Sequence, residues 1–322
     1  VEQAGLHLID LDQPLVGQRR FISCWARVDG PVTYVVDPGP PRTADFLIAS
    51  LRELGLEKLD LILLTHVHLD HGGCTARLLE AWPGAKVICH PSGRPHLVDP
   101  AKLWAGSRQV LGAKAEVYGE PQPVPAAALA EVALSDVESA AVFGLVVIPT
   151  PGHAPHHVAF RDGDDLFVGE AAGTFSTLGK GPRSEAYYLR PATPPRFHPR
   201  VAQASLDRLL ALDPLPQRLR FAHHGWFEGD VRGLLLAARG QVDLWLEACR
   251  QALAARRGLP HTEPGSEDEL FADIAEQARV RDAHFARGVE LPVDIRERER
   301  DFTRQSLRGM LGFLLEQADG SP

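Results

Sequence analysis

Leu61-Ile62-Leu63-Leu64 carries no polar residue, and it runs directly into Thr65-His66-Val67-His68-Leu69-Asp70-His71-Gly72-Gly73. A strand with one solvated face alternates apolar and polar side chains. An unbroken apolar run therefore reads as a strand covered on both faces. Leu145-Val146-Val147-Ile148 has the same character and also runs into a histidine loop, Thr150-Pro151-Gly152-His153. Strands buried on both sides need other layers over them, which puts the chain in the layered α/β class.

The rest of the first 230 residues fits that class. Phe21–Val28 and Val32–Val36 read as a hairpin around Asp29-Gly30, and Asp37-Pro38-Gly39-Pro40 stops the second strand. Leu47, Ile48, Leu51 and Leu54 mark one face of a helix that stops at Gly55. His66–Gly73 reads as a loop, Thr75–Ala81 as a helix and Lys86–Cys89 as a strand. His157–Phe160 and Asp165–Val168 flank the Asp162-Gly163 turn, and Arg218–Phe221 runs into Ala222-His223-His224-Gly225. Gly119–Ala130, rich in Pro and Ala, reads as a loop. Four strand ends, near residues 65, 150, 169 and 222, thus deliver polar side chains, which is how layered proteins build sites.

Beyond residue 230 the pattern turns helical. Leu235, Ala238, Val242, Trp245, Leu246, Cys249 and Leu253 form one stripe, and Leu307, Met310, Leu311 and Leu314 another. Ser266 with Glu269 reads as a capping box. Arg296–Asp301 alternates in sign and is expected to be a solvated helix face. The division implied is a domain over 1–230 and a helical extension over 231–322, packing on the domain or against a second copy.

Composition narrows the partners. The 322 residues carry a net charge of −8, with no Lys/Arg cluster to displace counterions, so no nucleic-acid backbone is expected as partner. No apolar run approaches the ~18 residues that cross a bilayer, and the first twenty residues lack a signal-peptide core, so no membrane partner is expected. Cys24, Cys74, Cys89 and Cys249 are widely spaced, as expected for reduced thiols of a cytoplasmic protein. Fourteen histidines are the unusual count, because several are clustered.

Residues 66–71 hold four candidate metal ligands. Residues two apart in an extended segment project to the same side, so His66 and His68 can grip one ion. Asp70 and His71 are adjacent and diverge, which suits a second ion beside the first. Imidazole with carboxylate fits zinc, iron or manganese better than calcium or magnesium. Gly72 and Gly73 leave room for backbone to approach.

His66-x-His68-x-Asp70-His71 resembles the signature of the metallo-β-lactamase superfamily, in its lactonase- and glyoxalase-like branch. Further segments follow in the family order. Pro151-Gly152-His153 is similar to its third histidine segment, Phe167-Val168-Gly169-Glu170 to its strand-end Gly-Asp segment, and Phe221-Ala222-His223 to its last histidine. The resemblance spans about residues 5–230 and implies a four-layer αβ/βα sandwich with metals at one edge between two sheets. It implies that His66, His68 and His153 hold one divalent ion, that Asp70, His71 and His223 hold the second, and that Glu170 lies between them. Zinc is the first expectation for both ions, with iron or manganese as alternatives.

The family usually has Asp where this chain has Glu170, one methylene longer; Asp164 and Asp165 precede the strand instead of ending it. His224 is the alternative to His223. His157 is expected to orient a ligand and His156 to lie on the surface. Tyr187 or Tyr188 would reach the substrate oxygen, and Cys74 would be a buried helix-start residue. His7, His90, His96, His198, His261 and His284 have no partner pattern.

The activity this implies is hydrolysis of a small carboxylic ester, thioester or lactone, with Asp70 orienting a hydroxide and taking up a proton. The alternatives are a small-molecule phosphodiesterase, an iron-dependent dioxygenase or redox protein, and a ligand-binding protein with a weakened metal site. A homodimer through the C-terminal helices is the expected assembly.

Overall fold

The computed structural model describes residues 5–135, 138–256 and 266–318. The first sheet runs in the order β1 (Leu6–Leu11), β2 (Ile22–Arg27), β3 (Tyr34–Val36), β4 (Leu61–Leu63) and β5 (Lys86–Ile88). Its first two pairings are antiparallel and its last two parallel. The second sheet contains β6 (Ala140–Val142), β7 (Leu145–Pro149), β8 (Val158–Asp162), β9 (Asp165–Gly169), β12 (Arg218–Phe221) and β13 (Trp226–Glu228). Its spatial order is β13-β12-β9-β8-β7-β6, and only β9 and β12 run parallel. The short pair β10 (Thr174–Ser176) and β11 (Tyr188–Arg190) stands apart.

Side-chain alternation sorts the strands into four layers. Tyr34, Val36, Leu61 and Leu63 face Val147, Phe160 and Phe167 across the gap between the sheets. Val35, Ile62 and Leu64 point the other way, onto α1 (Ala44–Glu53), α2 (Leu69–Gly72) and α3 (Thr75–Ala81). Three more helices follow on this side, α4 (Arg94–Val98), α5 (Ala101–Leu111) and α6 (Ala113–Tyr118). The outer face of the second sheet, through Leu166, Val168, Leu219 and Phe221, packs on α7 (Pro199–Leu210) and the start of α8 (Val231–Ala255). This is the αβ/βα sandwich, and the unbroken apolar run at Leu61–Leu64 is the strand with both faces covered.

The chain ends in a helical region of α8, α9 (Ser266–Arg281), α10 (Ala283–Ala286) and α11 (Val293–Ala318). Asp230 starts α8 by accepting the Gly233 N–H at 2.8 Å. The first turns of α8 bury Leu234, Leu235 and Ala238 against the sandwich. Its later turns bury Trp245, Leu246 and Cys249 against Phe271 and Ile274 of α9 and Leu307 and Met310 of α11. The side chain of Ser266, and His261, lie outside the described residues.

Two expectations are corrected. The segment after His68 is not a plain loop, because Leu69–Gly72 forms one helical turn. Arg296–Asp301 is solvated only in part: Arg296, Glu297, Arg300 and Asp301 are exposed, but Arg298 and Glu299 are 3% and 5% exposed. Charge alternation is silent on burial when the partners lie elsewhere in the chain, here Arg190, Tyr188 and His224.

Candidate metal centre

The four polar strand ends converge on one edge of the sandwich. Two backbone links close the sheets there. Val158 donates to the Thr65 carbonyl at 2.7 Å, and Ser23 donates to the Ala222 carbonyl at 2.8 Å. In the parallel pair β9 and β12, Gly169 lies opposite Phe221, so Glu170 and His223 leave the sheet as near neighbours.

Glu170 sits at the centre of the cluster. Its Oε2 lies 3.0 Å from His153 Nε2 and 3.5 Å from both His66 Nε2 and His71 Nε2. Its Oε1 lies 3.5 Å from His223 Nε2. His68 turns Nδ1 toward His153 Nε2 at 3.2 Å, and Asp70 Oδ2 is 3.6 Å from His71 Nε2. Among the described residues, three sets have ligand atoms within 4.8 Å of one another: His66, His68 and His153; His66, His71 and Glu170; Asp70, His71 and His223.

The far side of each ring decides which nitrogen is free. His153 Nδ1 donates to the Ala192 carbonyl at 3.0 Å, and His223 Nδ1 donates to the Phe21 carbonyl at 3.0 Å. A carbonyl only accepts, so each ring turns its Nε2 toward Glu170, and that nitrogen offers a lone pair to a metal once the ring is neutral. Asp37 does the same for two others. Its Oδ2 accepts the Thr65 hydroxyl at 2.7 Å, so that hydroxyl is left to accept from His66 Nδ1 at 3.1 Å. The same Oδ2 faces His71 Nδ1 at 3.4 Å. His66 Nε2 and both ring nitrogens of His71 are then buried without a hydrogen-bond partner. An orphaned buried donor or acceptor costs about 1–3 kcal/mol. Several of them aimed at one space, with two carboxylates, fit a divalent metal.

The electrostatics follow the layout. Burial, then the neighbouring His71 and His68, holds His66 well below the ordinary imidazole range, in the neutral form a metal requires. Burial likewise lowers His68. Burial also works against charge on His71, but Asp70, Asp37 and Glu170 together outweigh it and raise its pKa well above the usual value. Glu170 is held well below the carboxylate range, because His153 and His223 overcome its desolvation.

His157 lies behind the cluster. Its Nδ1 meets Thr150 Oγ1 at 2.8 Å, and its Nε2 accepts the Glu170 N–H at 3.1 Å. It thereby anchors the backbone that carries Glu170. Gly169 permits this, because at φ +56° a Cβ would come within 2.5 Å of His157 Nε2. His224 turns away from the cluster at φ 67° and pairs with Arg298 of α11.

Other placements differ from expectation. His156 is half-buried, not on the surface; its ring lies 5.9 Å from that of His68 and 6.2 Å from that of His96, and burial lowers its pKa to about 4. The Tyr187 ring stacks on His284 at 4.3 Å, and the Tyr188 hydroxyl donates to Glu299 at 3.1 Å. No described contact joins either tyrosine to the ligand cluster. Cys74 does match its expectation: it is buried at the start of α3, where burial pushes its thiol up to about 12.

Sequence reasoning passed over five contributors. Asp37 read only as a strand stop. Thr65 and Thr150 read only as loop residues. Phe21, read as strand, stacks on His223 at 4.2 Å. Tyr118, at the end of α6, is raised in pKa by burial and by the fields of Asp70 and Glu170. No local sequence pattern marks them; the left-handed backbone of Asp37, φ 51°, is visible only in the fold.

The metallo-beta-lactamase superfamily profile matches residues 18–224. A metallo-beta-lactamase fold-containing protein of Sulfurisphaera tokodaii is 31% identical over 202 residues, 60% of this chain and 69% of its own length. A hydroxyacylglutathione hydrolase of Cupriavidus taiwanensis is 34% identical over 205 residues, 62% of this chain and 61% of its own. The crystal structure of a metallo-beta-lactamase family protein from Thermus thermophilus has the same fold, with a TM-score of 0.62 over 99% of this chain and 95% of that one at 22% identity. The matched residues contain the strand ends and the ligand cluster from His66 to His223, and the chain belongs to the metallo-beta-lactamase superfamily.

Proposed function

We propose that this metallo-hydrolase is dinuclear and acts on a small carboxylic ester, thioester or lactone. The observation that carries the reading is the position of Glu170, whose Oε2 lies beside His66 and His153 of one ligand set and His71 of the other, with Oε1 beside His223. His66, His68 and His153 would hold one ion and Asp70, His71 and His223 the other, with Glu170 between. Two such cations, zinc first among the candidates, supply hydroxide near neutral pH and polarise the substrate oxygen.

The chain's own residues do the rest. Asp37 through Thr65, Ala192 and Phe21 fix the tautomers of His66, His153 and His223, so these ligand atoms need little reorganisation. His157 fixes the backbone of Glu170, which offsets the freedom of its additional methylene. Asp70 is more open to solvent than Glu170 or His71, and its Oδ2 can take a proton from the attacking water and return it to the leaving oxygen or sulfur. Support for an ester or thioester over a polynucleotide comes from the acidic net charge of −8. The name of the Cupriavidus relative puts an acylglutathione, a thioester, into the test panel.

The test is metal content by ICP-MS together with turnover of acylglutathione, aryl-ester and lactone panels. Wild type is expected to hold close to two ions, and Glu170→Gln one or fewer, with at least ~100-fold lower turnover. Two ions bound with no turnover on any panel would overturn the reading.

A further inference from the structure

The two faces of α11 do different work. Asp294, Arg298 and Phe302 face the sandwich, where Arg298 donates to the Gly17 carbonyl at 2.6 Å and Phe302 stacks on Phe21 at 5.1 Å. Arg296, Arg300, Arg304 and Leu307 recur at three- and four-residue spacing on the opposite face and line a separate cavity of about 370 Å³. None of the metal-cluster residues lines it.

The cavity exists because its facing elements carry small side chains. Ala272 and Ala275 of α9, with Ala286 and Gly288 beyond it, leave space that larger residues would fill. Phe271, Phe285 and Leu291 make its wall apolar. The volume lies in the ~300–1,000 Å³ range of small-molecule sites.

The charges lining this space are unbalanced. Its two carboxylates are engaged: Asp268 with Arg304 at 3.2 Å, and Glu299 with Arg190 at 2.5 Å and with Arg298. Arg279 is paired with Glu276 at 2.7 Å. Arg296 and Arg300 are exposed and have no acidic partner among the described residues, whereas Arg287, Arg298, Arg304 and Arg308 around them all have one. Two uncompensated guanidinium forks at the mouth of an apolar cavity match an anionic headgroup on an apolar body.

We propose that this cavity binds a small amphiphilic anion, a carboxylate or phosphate ester on a linear apolar chain, with Arg296 and Arg300 on the headgroup and the chain between α9 and α11. The site is distinct from the metal centre and independent of the reaction proposed there.

The test uses the full-length protein and decanoate, below its micelle concentration, in isothermal titration calorimetry. One saturable site is expected. Arg296→Ala combined with Arg300→Ala should weaken it at least ten-fold, and Ala275→Trp, which fills the cavity, should abolish it with the far-UV circular dichroism unchanged. Acetate, with no chain, and decanol, with no charge, should each bind at least ten-fold more weakly. Decyl phosphate separates the two sources of charge: tighter decanoate assigns a carboxylate and tighter decyl phosphate a phosphate, each lost in the double variant. Equal decanoate affinity in wild type and double variant would overturn the proposal. So would the absence of saturable binding, or a dimer covering this face that dissociates in the double variant while decanoate fails to bind.

Discussion

At the scale of single residues, the centre depends on positions that bear no ligand atom. Gly169 is the sharpest case. A Cβ at this φ of +56° meets His157 Nε2 at 2.5 Å and Thr65 Cβ at 2.9 Å. Gly163 has nearly the same backbone, φ +57°, with nothing within 4 Å of a Cβ. Gly163→Ala should therefore cost only the left-handed strain, about 1–2 kcal/mol. Gly169→Ala should cost that plus an overpacking penalty of about 1–3 kcal/mol, and it should also lose metal by displacing Glu170. Urea unfolding of the two variants side by side isolates the contact. Equal losses would show that His157 moves aside at little cost.

At the scale of elements, α11 is the part whose role the residue pattern concealed. Glu299 accepts from Tyr188 and Arg190 through Oε2 and from Arg298 through Oε1, in a buried network between the extension and the sandwich. Burial opposes its ionisation, but Arg190 and Arg298 prevail and bring its pKa from 4.5 down to about 2. A depressed folded-state pKa contributes stability that is present above the unfolded value and lost as pH falls through the folded one. Here that window runs from 4.5 down to about 2 and is worth about 3 kcal/mol. Urea midpoints measured from pH 6 to pH 2.5 should fall in wild type. Glu299→Gln should remove this contribution to the slope and cost about 3–5 kcal/mol at pH 7, because two buried guanidinium groups lose their counter-charge. An unchanged slope in the variant would remove Glu299 as the source.

At the scale of the whole molecule, α8 belongs to two cores. Its first turns complete the outer layer of the second sheet, and its later turns bury Trp245, Leu246 and Cys249 in a cluster with residues of α9, α10 and α11. A chain ended at residue 256 should therefore expose that stripe, bind a hydrophobic dye and aggregate during size-exclusion chromatography. A monodisperse truncated protein would show that α9–α11 are not needed to cover α8. Among the described residues, no helix is long and apolar enough to cross a membrane.

Local patterns read well where the physics is local. The hairpin of β2 and β3, helix α3, strand β12, the covered strand at Leu61–Leu64 and the spacing of His66, His68, Asp70 and His71 were all legible, because periodicity and ligand spacing act over a few residues. Strand β1 and helices α4–α6 escaped notice; no residue of α5 is fully buried, so its pattern is weak. The long-range pairings escaped too. Asp37 reaches Thr65 across 28 positions, Arg190 reaches Glu299 across 109, and Arg298 chooses His224 across 74. The sequence by itself determined the chemistry on offer, imidazoles and carboxylates at the ends of covered strands. Only the tertiary structure decided which nitrogen each ring presents and which charges are buried, because both depend on partners that folding alone brings within a hydrogen bond's reach.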